Sequence, residues 1–349
     1  MKISIGTKIK DGPWGGGNLF AINLKNYLEN SGHTVVSDLL HDDIDIIILT
    51  EPRKTSESSA FTDLDVLKYK KYVNKKSLVI HRINECDERK NTNYVNKYLI
   101  QANKVANETI FVSDWLKKLF LSQGIQSKIN HIVYAGANSE IFNPQGFIPW
   151  DGKSKLKIVT HHWGANWNKG FDIYSELDGM LALPEYKDKF EFNYIGNLPK
   201  NFVFKNSNHI SPMSGHELAQ SIKRNHLYLT ASINEPSGNH HIEALQCGLP
   251  LLYLESGGTT EYCKNFGLGF SEKNFKDQLN VMMSNYNIYL EKTKKYPNNA
   301  DKMSNEYLEI INQMFANKEK YEENELFKSK NYLTKFLYLK IRKVKKNQN

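Results

Sequence analysis

An α/β fold of two Rossmann-like domains, each built on a parallel sheet covered on both faces, is predicted for this chain by three observations. Short apolar runs alternate with amphipathic helical segments through most of the sequence. The runs are continuously apolar, as strands buried on both faces require. The chain has 349 residues, more than one hydrophobic core comfortably serves, so two domains with a cleft between them are expected.

Taken in order, KISIG reads as the first strand and NLFAINLKNYLENSG as a helix stopped at Ser31-Gly32. HTVVSD, IDIIILT, SLVIHRI and ETIFVS read as strands, DWLKKLFLSQG as a helix stopped at Gln123-Gly124, and KINHIVYA as another strand. Residues 143–155, NPQGFIPWDGKSK, gather proline, glycine and charge without periodicity and read as the interdomain linker. A second series follows: KLKIVTHH, KGFDIYSELDGML, KFEFNYIG, GHELAQSIKRN, LYLTAS, NHHIEALQCG and LPLLYLES. The expected units are a domain at 1–145, a second at 155–318 and a basic helical tail at 319–349, with no short repeat or low-complexity tract.

Composition narrows the function. Hydrophobic residues at 40% and charged residues at 24% are ordinary for a globular protein and argue against extensive disorder. Cys86, Cys247 and Cys263 lie far apart with no C-x-x-C pair, so neither a disulfide framework nor a zinc site is indicated and a reducing cytoplasm is expected. The N-terminus lacks the apolar core of a signal peptide, and IDIIILT is too short to span a bilayer. The net charge of +8 suggests nucleic acid until its location is read. Eight basic residues and no acidic ones lie between Lys328 and Asn349, which leaves the body neutral. Without an aromatic-basic recognition motif in that body, no nucleic-acid partner is expected.

Two stretches carry the chemistry. The first strand runs into GPWGGGNLF, and a glycine-rich turn before a helix can bring backbone amides against a phosphate. The dinucleotide fingerprint fails here, because Gly15 and Gly17 would need glycine where Phe20 stands. Asp38 alone is weak support for a ribose acid, and a turn needing glycine only for its conformation is an equally simple reading. The second stretch, EPSGNHHIEALQCGLP, places Glu235 in the loop above a helix and Glu243 in that helix's second turn, with Asn239 expected near the cap. Both carboxylates then face the carboxyl end of a sheet, where open α/β sheets bind ligands. A carboxylate can accept hydrogen bonds from two vicinal hydroxyls, and free amides around Gly238 to His240 suit a pyrophosphate between them. The spacing fits a sugar nucleotide laid across a helix start.

E-x7-E followed by EALQCGLPLL and ESGGTTE resembles the signature of family 4 glycosyltransferases of the GT-B fold. GGGNLFAINLKNYLENSGHTV, HIVYAGANSEIFNP and NKGFDIY resemble further segments of that family in the same order, over nearly the whole chain. The resemblance implies two Rossmann-like domains facing each other across a cleft. It further implies a retaining transfer of a sugar, without a metal or other cofactor, from a nucleotide diphosphate sugar to a hydroxyl of a glycan or lipid-linked acceptor. Glu243 would bind the donor ribose and Glu235 the transferred sugar, aided by the amides of Ser237, Gly238 and Asn239. Lys169 would neutralise the leaving diphosphate, Gly16 and Gly17 would approach it from the other domain, and His81 would stand near the reaction centre.

The chain departs from the family in three places. THHWGANWNKG lacks the arginine the family places before the lysine, which leaves Arg82 or a histidine as expected substitutes. Ala135 replaces the asparagine of an NG pair, and Ser237-Gly238 replaces an aromatic-glycine pair. Acceptor contacts are expected from loops at 51–62 and 84–93. The same residues also suit a non-catalytic sugar-nucleotide-binding module, or an epimerase or hydrolase on this fold.

Other motifs are set aside. Within the pairs His161-His162 and His240-His241 the side chains diverge, so neither pair makes a joint metal ligand set. Asp43-Ile44-Asp45 lacks a nucleotide-binding context, and the sequon at Asn107 has no secretion signal behind it. In the tail, Leu333, Phe336, Leu337, Ile341 and Val344 share one helical stripe among lysines. Such a helix fits an anionic membrane surface through 328–349, on the inner face of the membrane, or packs back on the first domain.

Overall fold

The computed structural model describes residues 1–12, 14–321, 326 and 332–347. Its first sheet holds β1 (Lys2–Ile5), β2 (Thr34–Val36), β3 (Ile46–Leu49), β4 (Leu78–Ile83), β5 (Glu108–Phe111) and β6 (Asn130–Ile132), in the order β2-β1-β3-β4-β5-β6. The second holds β7 (Leu156–His162), β8 (Phe190–Gly196), β9 (Asn208–Ile210), β10 (Leu227–Thr230), β11 (Leu251–Leu254) and β12 (Leu268–Phe270), in the order β12-β11-β10-β7-β8-β9. Every pairing in both sheets is parallel. The strands β3, β4, β5, β10 and β11 are buried at every position, which is why β3 and β11 read as unbroken apolar runs and why the polar residues His81, Arg82 and Glu108 on β4 and β5 are buried.

Packing follows from the helical stripes. In the helix Gly15–Asn30, Phe20, Ala21, Leu24 and Leu28 face the first sheet. In the second domain Phe171, Tyr174, Phe192 and Tyr194 form a fully buried aromatic cluster, each ring contributing roughly 1.5–3 kcal/mol by leaving water. Residues 143–155 contain no helix or strand. The chain returns to the first domain after residue 299, where the amide of Ala300 donates to the Ala137 carbonyl at 2.8 Å. Beside it, a Cβ on Gly136 would lie 2.0 Å from the Asn299 oxygen, so only glycine lets the two crossings touch.

That return corrects the expected 155–318 unit. The helix Ala300–Ala316 packs Met303, Tyr307, Ile310, Ile311 and Met314 against Ile3, Ile5, Phe20 and Leu24 of the first sheet. Periodicity alone could not tell which sheet the helix covers.

Each sheet also changes strand order around a central strand. β1 lies between β2 and β3, and β7 lies between β10 and β8. The chain leaves β1 toward β2 and β7 toward β8, while β3 and β10 are added on their other sides, opening a crevice at the carboxyl ends of β1 and β7, where such sheets bind ligands. The glycine-rich loop follows β1, the Lys169 turn follows β7, and the Glu235 loop follows β10.

Candidate active site between the two sheets

On the second domain, β7 leads into a short 3-10 turn, Trp167–Lys169, closed by Gly170 at φ 104°. A Cβ on Gly170 would meet the Cβ of Ala231 at 2.5 Å, so glycine lets the turn press against the end of β10. The Ile233 amide donates to the Asn168 carbonyl at 2.8 Å and fixes the two loops together. Lys169 Nζ is thereby held 2.6 Å from Glu235 Oε2. Both side chains are nearly inaccessible, at 6% and 5% of residue exposure.

The helix Asn239–Gln246 already begins at the residue expected as its cap. Gly238 is the cap, at φ 76°, and Asn239 is the first helical residue. Asn239 instead faces the other domain, since a Cβ on Gly16 would lie 2.8 Å from its Oδ1. The structure thus brings the glycine turn of the first domain onto the helix start of the second. Gly17 has open space where a Cβ would be, so the close approach belongs to Gly16. Ser237 is half-buried beside them.

Glu243 is buried and paired with His161 Nε2 at 2.7 Å, while His161 Nδ1 lies 3.0 Å from the Tyr228 hydroxyl. The His161 amide donates to that hydroxyl at 3.1 Å. All three contacts are satisfied when Tyr228 donates to Nδ1 and the Nε2 proton points at Glu243. The neighbouring histidines turn elsewhere: His162 to Tyr174 at 2.9 Å, His240 to Thr230 at 2.7 Å, and His241 to the Cys263 sulfur at 3.7 Å. Burial pushes His162 and His240 well below the ordinary imidazole range and lowers His241 to about 4. They form a neutral packed layer beneath the crevice. Among the described residues, no group of three or more His, Cys, Asp or Glu side chains could hold a metal ion.

From the first domain comes a residue the sequence reading did not assign. Arg89, in the short helix Asp87–Lys90, places Nε 2.8 Å from Glu235 Oε1 and donates from Nη1 to Glu85 Oε2 at 2.8 Å. Its carbonyl accepts from Asn168 Nδ2 at 3.1 Å, and the Glu88 carbonyl from Asn234 Nδ2 at 3.4 Å. Asp87 holds this loop from behind, accepting from Val95 N at 2.9 Å and Asn96 N at 3.0 Å. Burial alone would raise the Glu235 carboxyl, but Arg89 and Lys169 overcome it and hold it down at about 2. Burial, followed by the repulsion of Arg89, lowers Lys169.

Arg82 and the histidines are the expected substitutes for the missing cation. Arg82 lies under the Phe20 ring, 3.9 Å from its centroid, within the first core. His81, expected near the reaction centre, lies on the first sheet. It is fully buried on β4, bonded through Nδ1 to Asn103 Oδ1 at 2.8 Å and lowered by burial to about 4. Among the described residues, no hydrogen bond or ion pair joins it to Glu235, Lys169 or Glu243.

Two further contacts span the crevice. Glu261 accepts from the amides of Asp114 (2.8 Å) and Trp115 (2.5 Å), capping the first-domain helix Asp114–Ser122. Tyr262 donates to the Val112 carbonyl at 2.6 Å and accepts from Ala135 N at 2.8 Å. At the mouth, the half-exposed rings of Trp14 and Trp163 lie 6.4 Å apart, one from each domain.

The arrangement of the two sheets is that of known structures. A glycosyltransferase from Rickettsia africae ESF-5 superposes with a TM-score of 0.64, over 90% of this chain and 99% of its own, at 14% identity. HepE from Anabaena in complex with UDP-glucose gives 0.61 over 92% and 99%, at 13% identity. The fold is GT-B. WaaG, a glycosyltransferase involved in lipopolysaccharide biosynthesis, has the same GT-B arrangement with a TM-score of 0.61 over 89% and 99%, at 12% identity. No family model and no curated protein sequence matches the chain. The GT-B crevice between the two sheets is where Glu235, Lys169, Arg89, Gly16 and Asn239 meet.

Proposed function

We propose that this chain is a glycosyltransferase that moves a sugar, a hexose in the first instance, from a nucleotide diphosphate sugar to a hydroxyl of a glycan or lipid-linked acceptor. The observation that carries the reading is the helix start at Asn239, flanked by Glu235 and Glu243 and met by Gly16 of the opposite domain. Glu243 takes the ribose hydroxyls, with His161 fixing its carboxylate. Glu235 takes the sugar hydroxyls, and the amides from Ser237 to Asn239 face the diphosphate. UDP is the first nucleotide to test, because HepE, of the same fold, is in complex with UDP-glucose.

Lys169 and the helix amides supply the positive potential that the departing diphosphate needs, the work a divalent cation does in other transferases, so the reaction is read as metal-independent. No protein nucleophile is required. The acceptor hydroxyl attacks the face the diphosphate leaves, and a diphosphate oxygen takes its proton, so configuration is retained. Closure of the domains excludes water and orients the two substrates.

The acceptor side is read from the tail. The helix Tyr332–Lys346 sits on the first domain by its polar edge: buried Arg342 pairs with Asp42 and donates to the His41 carbonyl at 2.9 Å, and Lys346 pairs with Asp42 at 2.9 Å. Phe336, Leu337, Ile341 and Val344 point outward, 50–65% exposed, among Lys335, Lys340, Lys343 and Lys345. Apolar side chains ringed by lysines fit an anionic lipid surface, and so a lipid-linked acceptor. Of the basic tail expected from sequence, Lys328, Lys330 and the side chain of the stripe residue Leu333 lie outside the described residues. Among the described residues, no helix is long and apolar enough to cross a membrane.

Thermal unfolding with UDP, GDP, ADP and CMP, on the native chain and on Glu243→Ala, tests the donor reading. A nucleotide at a hundred times its Kd stabilises the fold by about 2.7 kcal/mol. A raised midpoint with one nucleotide that vanishes in Glu243→Ala is expected. No shift with any of them overturns the reading.

A further inference from the structure

The leaving diphosphate needs more positive charge than its own loop provides. Between His162 and Lys169 the sequence is Trp-Gly-Ala-Asn-Trp-Asn, with no cation other than Lys169 itself. The first domain brings a second cation to the same point. Arg89 Nε and Lys169 Nζ lie 2.8 Å and 2.6 Å from the two oxygens of one carboxylate, Glu235. Lys90 reaches Glu85 at 2.9 Å, and Arg89 donates to that same Glu85 oxygen. The cluster therefore holds three cations, Arg89, Lys90 and Lys169, against two carboxylates, Glu85 and Glu235. Lys169 and Glu235 are buried, Arg89 is partly buried and Lys90 lies at the exposed edge, and a cluster with excess positive charge beside a helix start favours an anion.

We propose that Arg89 is the second phosphate-binding cation of this enzyme, delivered by the first domain when the cleft closes. This rests on the donor reading above. With donor bound, the guanidinium exchanges Glu235 for diphosphate oxygens and frees that carboxylate for the sugar hydroxyls. Glu85 aligns the fork from behind, and Asn168 Nδ2 holds the Arg89 carbonyl at 3.1 Å, so the cation is in place only when the two domains meet. A guanidinium suits the role because its planar fork can bind two phosphate oxygens at once. Leaving-group stabilisation is thereby conditional on closure, which keeps the donor intact in the open protein.

The test compares UDP with uridine, which lacks phosphates, by calorimetric titration into the native chain, Arg89→Gln and Arg89→Lys. A charge-assisted hydrogen bond predicts UDP binding roughly 10- to 100-fold weaker in Arg89→Gln, with uridine binding unchanged. Arg89→Lys, which keeps the charge and so the fold, falls between. Turnover of a UDP-sugar should lose more in kcat than it gains in KM, because the charge grows as the bond breaks. Equal losses for UDP and uridine would make Arg89 a structural latch, and unchanged UDP binding would remove it from the site; either overturns the proposal while the donor reading stands. A native chain that binds UDP no better than uridine overturns the donor reading, and the role of Arg89 with it.

Discussion

At the scale of single residues, burial fixes most of the electrostatics. His81 and His241 have no exposed surface and are lowered by burial to about 4, while the unfolded chain titrates near 6.5. A histidine with a depressed folded pKa adds stability that is complete above the unfolded value and disappears as pH falls toward the folded one. Each such group contributes a slope of at most about 1.4 kcal/mol per pH unit. The unfolding midpoint should therefore fall steeply between pH 6.5 and 4, and His81→Asn, which can keep the bond to Asn103, should flatten that fall. Glu235, held at about 2, adds a second loss between its ordinary range and pH 2. A flat profile from pH 6.5 to 4 would contradict the neutral buried layer.

What the sequence carried at this scale depends on whether partners are local. Glu235, Glu243 and Lys169 are legible because each sits at a fixed place on a strand-loop-helix unit, and spacing encodes that unit. Arg89 is not legible: its partner lies 146 residues away in the other domain, and no spacing within the 84–93 loop points to it. His81 shows the converse case. A strand position with the right neighbours in sequence turned its ring toward Asn103, into the core.

Elements were read more securely than their allegiance. The apolar runs and helical stripes follow from burial on one or both faces, so the strands of the first sheet and β7, β8, β10 and β11 of the second could be read from pattern alone, while the edge strands β9 and β12, three residues each and only partly buried, left no such run. The helix Ala300–Ala316 has a clear stripe too, yet the stripe does not say that it returns to the first sheet. The helix Tyr332–Lys346 is informative for the same reason: it docks through Arg342 and Tyr338, the latter 5.8 Å from Tyr72, and leaves its apolar side uncovered by the domain. Sedimentation with vesicles containing phosphatidylglycerol should carry the native chain down at low salt. Pure phosphatidylcholine vesicles should not, and Phe336→Asp with Ile341→Asp should abolish the effect while leaving nucleotide binding intact. Equal recovery with both lipids, or with the double variant, would remove the membrane from the account.

For the whole molecule, the crevice is both the site and the joint. Glu235 joins the two domains electrostatically, Glu261 and Tyr262 join them by backbone hydrogen bonds, and Gly16 rests on Asn239. Glu235, Glu243 and Lys169 are 4–6% exposed, so on the proposed reading a nucleotide sugar reaches them only when the domains part. On the proposed reading, donor binding and domain movement are one process, as expected of a site split between two rigid sheets. The most direct measurement is a crystal structure of the chain with UDP. The account predicts the ribose on Glu243, the diphosphate at the amides of Ser237 to Asn239, and Arg89 turned from Glu235 onto a phosphate oxygen. Nucleotide density elsewhere, with Glu235 still bridging Arg89 and Lys169, would contradict it.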